Sequence, residues 1–207
     1  MLPEYWLQRP NIEIDSLTRS DIDQWFARVK AAGTSTRIDY TFPVPKWQFL
    51  CYLADQLGVV LHGTGDPHIQ VFEPRPSNDL NEFGAQTAVY AAGDGLWSMF
   101  FAILDRRRYP MSTSNACIRL VDEAGKVSEP QYVFSISQTA LFQQPWRKGM
   151  IYHHHSALLP CLLKFILIQD IPGFFLFVLW NTSPHPIQQS TQASILLLML
   201  SELYLYW

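Results

Sequence analysis

Charge is scarce in this chain of 207 residues: only 16% of them carry it, and the net value is −3. No overall basic field is available to hold nucleic acid. The one basic run, Arg106-Arg107-Arg108, reads as a solvated helix end rather than a phosphate site. Cysteine is equally sparse. Cys51, Cys117 and Cys161 are odd in number and far apart, which excludes a disulfide framework and points to a reducing compartment. No two of them have zinc-site spacing, and no metal is expected. The opening "MLPEYWLQRPNIEID" lacks the basic end and apolar stretch of a signal peptide, so the start reads as cytoplasmic. Also missing are a nucleophile elbow and a phosphate loop, which leaves those enzyme classes without support.

The charge that is present is unevenly placed. Of the 33 charged residues, only Lys164, Asp170 and Glu202 lie beyond residue 152. Two parts follow: residues 1–152, with a core at 58–152, and an apolar tail at 153–207. Three readings stay open for the tail, namely a disordered, a membrane-associated or a frame-altered ending. Residues 158–180 are long enough to raise a membrane span. Lys164 and Asp170 interrupt it, each at a cost of roughly 2.5–3.5 kcal/mol at bilayer depth. His153-His154-His155 reads as an exposed polar run, since adjacent histidines diverge and make a poor metal site.

In the first part, "SDIDQWFARVKAAG" has the pattern of an amphipathic helix with Ser20 as N-cap and Gly33 as stop. "RIDYTF" (37–42) reads as a short strand. "PVPKWQFLCYLADQLG" is a second helix, with Pro45 at its start, a stripe of Trp47, Leu50, Cys51 and Ala54, and Gly58 at its end. "VVLH" and "QTAVYAA" are strands bounded by breakers. "LWSMFFAILDRRR" is a helix apolar on most sides. "ACIRLVD" and "QYVFSIS" alternate around a hairpin turn, and "GMIYH" is a further strand. Helices first and then several strands favour an α+β fold over alternating βαβ units.

One stretch poses a chemical question. "VVLHGTG" ends an apolar strand on His62 and follows it at once with Gly63, Thr64 and Gly65. Tyr90 comes 28 residues after His62, in "AVYAAGDG", and "MFFAI" (99–103) follows. Singly, His62 reads as a strand-end histidine, Gly63 as a turn residue and Tyr90 as core. In this order they resemble the ADP-ribosyltransferase-like domains of the poly(ADP-ribose) polymerase and diphtheria-toxin type, over residues 58–152. That family has His-Gly-Ser/Thr on one strand, a tyrosine on a later strand, and a glutamate on a third.

The resemblance implies a mostly antiparallel split sheet and NAD as bound substrate, held by His62, Gly63, Thr64 and Tyr90. It also implies transfer to an acceptor protein or nucleic acid. The histidine would bond an adenosine-ribose hydroxyl, the glycine backbone the nicotinamide amide, and the tyrosine ring would stack on the nicotinamide. A carboxylate would stabilise the oxocarbenium-like transition state. That third motif is missing. Glu129 lies in a turn and comes early, Asp170 sits beside a proline-glycine break, and Glu202 falls in a leucine-rich run. Catalytic residues are therefore unassigned and the missing acid implies an inactive protein; if the tail is a replaced or frame-altered ending, NAD is expected to bind poorly or not at all. Arg75 is expected to pair with Glu73 or Asp79. The rival reading is a non-catalytic interaction protein whose apolar tail docks a partner or a membrane.

Overall fold

The computed structural model describes residues 3, 5–32, 38–76, 87–155 and 165–167. Helix α1 spans Ser16–Ala32 and begins on Asp15, not Ser20. The Asp15 carboxylate accepts the backbone N–H of Thr18 at 2.9 Å and its hydroxyl at 2.7 Å. These bonds pull the Asp15 pKa below the usual carboxylate value. Ser20 lies inside the helix and accepts from Gln24 Nε2. The apolar period conceals the first turn because Leu17 is 78% exposed. Ile22 and Phe26 face the core. Gly33 and Asp79 lie outside the described residues.

Residues 38–42 form no strand. Their aromatic alternation serves packing instead: Tyr40 and Phe42 stand 5.2 and 5.3 Å from Phe49, and the Tyr40 hydroxyl donates to Val44 O. Helix α2, Lys46–Leu57, follows Pro45 and closes on Gly58 in the left-handed region (φ 63°), whose N–H reaches Leu53 O. Every residue from Trp47 to Ala54 is buried, so the expected stripe is a fully enclosed helix.

The Gly58 turn delivers the chain into β2, Val59–Thr64, which pairs antiparallel along its whole length with β7, Met150–His155. Val59, Leu61 and Ile151 join the core with α2 and α3. Helix α3, Gly95–Ile103, starts at Asp94, whose carboxylate accepts Trp97 N–H at 2.8 Å. It stops before the basic triplet. Leu104 is extended and bridges to Trp146, and Arg147 N–H takes the Ile103 carbonyl. Arg106–Arg108 therefore sit in a turn held by Asp105.

Strands β5 (Thr113–Ile118) and β6 (Gln131–Ile136) form a hairpin, with β1 (Leu7–Gln8) added to β6. Tyr132 fastens this sheet to α3: its hydroxyl donates to Asp94 Oδ2 at 2.5 Å. Burial, opposed by this bond and others, pushes the Asp94 pKa up. A third sheet contains β3 (Arg75–Pro76), β4 (Thr87–Ala91) and β8 (Phe165–Leu167), the last parallel to β4. The short helix α4, Gln138–Leu141, links β6 to the approach of β7.

Helices with mostly antiparallel sheets make the chain α+β. Strand β7 runs through His155, past the composition break at residue 152. The polar-run reading of His153 is corrected accordingly. Pairing with Leu61 draws it into the sheet, half-buried, with its ring 6.3 Å from Trp25. Most of 158–180, with Asp170 and Glu202, lies outside the described residues. Among the described residues no helix is long and apolar enough to cross a membrane.

Candidate functional site

Strand β2 alternates strictly. Val59, Leu61 and Gly63 fall on one face and Val60, His62 and Thr64 on the other. Burial fades along it: Val59–Leu61 are buried, while His62, Gly63 and Thr64 are all half-buried. The motif thus occupies the end where the strand emerges from the core.

At that end the sheets part. Leu61 and Ala92 exchange both backbone bonds, at 2.8 and 2.9 Å, and form an isolated bridge. An antiparallel ladder would next pair Gly63 with Tyr90. The Tyr90 carbonyl instead meets His62 Nδ1 at 2.7 Å. A carbonyl only accepts, so Nδ1 carries the proton. Burial lowers the His62 pKa below its usual value; the Tyr90 carbonyl opposes that shift and the Arg75 cation adds to it. The neutral ring then keeps its Nε2 lone pair as an acceptor.

The aromatic neighbour of His62 is not Tyr90. Phe72 lies edge-on to the imidazole at 5.0 Å and to Tyr152 at 5.2 Å. Tyr152 stands opposite His62 in the β2–β7 register. Its hydroxyl accepts Ile69 N–H at 3.0 Å and donates to Asp66 O at 3.1 Å, clasping the loop that follows the motif. Tyr90 contributes its main chain to His62, and its ring is half-buried. Thr64 pairs with Met150 and accepts Asp66 N–H at 3.2 Å.

The glycines have packing reasons of their own. A Cβ built on Gly63 would overlap the Ser98 carbonyl oxygen and lie 2.8 Å from its carbon, so the bare strand allows α3 to approach. On Gly65 it would overlap the Arg147 guanidinium. Arg75 is exposed in β3, and none of the ion pairs among the described residues involves it.

Glu129 is committed elsewhere. Arg9, 7% exposed in its side chain, binds Asp55 through Nη1 and Glu129 through Nη2, each at 2.7 Å. These groups line an open hollow of about 400 Å³ with Arg19 and Tyr52, to which no motif residue contributes. Its main charges neutralise one another. Burial pushes the thiol pKa values of Cys51 and of the half-buried Cys117 above the usual value.

Phe72 and Tyr152 were not legible as site residues. "GMIYH" marked a strand, but only the register shows that Tyr152 faces His62. No protein-family model, no curated protein and no solved structure matches this chain.

Proposed function

We propose that the emergent end of β2 binds NAD in the manner of an ADP-ribosyltransferase-like domain, with His62, Gly63, Thr64 and Tyr90 around the ligand. The observation that carries this reading is the 2.7 Å bond from His62 Nδ1 to the Tyr90 carbonyl. It ties the two motif strands together where their ladder stops, and it leaves Nε2 as an acceptor suited to a ribose hydroxyl. The half-burial of all three His-Gly-Thr residues fits a ligand-facing strand end.

Binding is the claim, without completed transfer. The chemistry calls for a carboxylate beside the ribose, and Glu129 is held by Arg9. Calorimetric titration of the full chain with NAD tests the proposal. Saturable binding is expected, weakened roughly tenfold in His62→Ala by loss of a ribose hydrogen bond. No binding to the wild type, or equal binding to a folded His62→Ala variant, would remove the NAD assignment.

A further inference from the structure

Arg147 is the residue whose surroundings ask for a ligand. It lies three residues before β7, and its guanidinium rests on Gly65, the residue directly after His62-Gly63-Thr64 and β2. The missing Cβ of Gly65 is what makes room for it. Arg147 Nε donates to Ala102 O at 3.2 Å in the last turn of α3, which anchors the plane of the group. The two Nη nitrogens have no hydrogen bond or ion pair within the described residues.

The electrostatics point the same way. Burial depresses the Arg147 pKa, Asp105 opposes this, and the cations of Arg107 and Arg106 add to the depression. The backbone agrees: the Leu104–Trp146 bridge and the bond from Asp105 N–H to Pro145 O bring the start of the basic triplet alongside the approach to Arg147. Arg106 and Arg107 are exposed, and Arg106 lies over the Phe101 ring at 5.9 Å. An anchored guanidinium with both outer nitrogens open, backed by further cations, matches a phosphate oxygen pair.

We propose that Arg147, supported by Arg106 and Arg107, binds a phosphate or pyrophosphate group at the end of β2. The identity of that group as the pyrophosphate of a dinucleotide rests on the NAD reading above; the anion site itself does not. Gly65 is then a residue of the site, because it sets the height of the guanidinium over the backbone.

The test uses the full chain with two probes, inorganic pyrophosphate and NAD, each titrated at low and at 0.3 M salt. Pyrophosphate is expected to bind and to weaken as salt screens the cluster. Arg147→Gln should weaken it roughly tenfold through loss of charged hydrogen bonds. Gly65→Ala should act in the same direction by displacing the guanidinium. The exposed pair Arg106→Gln with Arg107→Gln, which leaves the Ala102 bond untouched, should weaken it roughly threefold through longer-range charge. That pair decides the matter if Arg147→Gln fails to fold.

Absence of pyrophosphate binding to the wild type, or affinity unchanged in a folded Arg147→Gln variant, overturns the inference. NAD binding that needs His62 but is indifferent to Arg147 overturns the identification of that group as the dinucleotide's pyrophosphate and leaves the NAD reading standing. Pyrophosphate binding that needs Arg147, with no NAD binding at all, supports the anion site and removes the dinucleotide.

Discussion

Gly63→Ala is the most incisive single change. The added methyl would meet main-chain atoms on α3: it overlaps the Ser98 carbonyl oxygen and lies 2.8 Å from the Ser98 carbon and 3.1 Å from Ala102 N. None of these is the far end of a flexible side chain, so relief requires moving α3 off β2. Overpacking of a well-filled interior costs about 1–3 kcal/mol, and a main-chain obstacle argues for the upper end. At about 3 kcal/mol the melting temperature of a domain this size falls by about 6–12 °C. Urea unfolding followed by circular dichroism measures the loss directly, with an unchanged m-value showing that the folded state remains compact.

Two companion variants sharpen the test. Ser98→Gly should not rescue Gly63→Ala, because the obstacle is backbone. Gly125→Ala has open space around its added methyl but a φ of +79°, so it should cost only the left-handed penalty, about 1 kcal/mol. A Gly63→Ala protein within about 0.5 kcal/mol of wild type would refute the close approach of α3 to the strand end.

Acid should destabilise the fold before the carboxylates titrate. Burial lowers the pKa of both His62 and His153 below the ordinary 6.5, so the folded state favours the neutral rings. Their contribution is fully present above pH 6.5 and is lost as pH falls through that value toward the folded-state pKa values. Urea midpoints measured from pH 7.5 to 5 should therefore decline, and His153→Phe should flatten the slope; a flat wild-type profile counts against the burial of these rings. The Arg9 cluster should respond unequally to its two deletions. Arg9→Met takes the nearer of two cations from Asp55, whose side chain is 16% exposed and keeps only the longer pair with Arg119 at 3.8 Å, and should cost about 2 kcal/mol. Glu129→Gln alters a partner that is 53% exposed and should cost less than about 1 kcal/mol, so equal losses in urea melts would contradict this division.

Local chemistry was readable where a residue acts on its own neighbours. Pro45 and Gly58 marked the ends of α2 because one restricts φ and the other supplies a left-handed turn. The start of α1 was hidden because an exposed Leu17 carries no periodic signal. The end of α3 was hidden because "LDRRR" suits a helix locally, while Leu104 and Arg147 stop it through contacts more than 40 residues apart. Strand β5 begins at Thr113, in a polar stretch whose pairing with Ile136 no alternation announces. The candidate site divides along the same line. His62 was visible from its breakers, whereas the use of the Tyr90 carbonyl, the clasp by Tyr152 and the seat of Arg147 on Gly65 all depend on register and long-range approach.

The lone Leu61–Ala92 bridge gives His62 a mechanical role beside any chemical one. Beyond that rung the bond from Nδ1 to the Tyr90 carbonyl joins the two strands, so the imidazole is the spacer that sets how far apart they stand there. Shortening the spacer to alanine changes the gap as well as the recognising atom, whereas asparagine, whose amide N–H can stand where Nδ1 stands, changes mainly the latter.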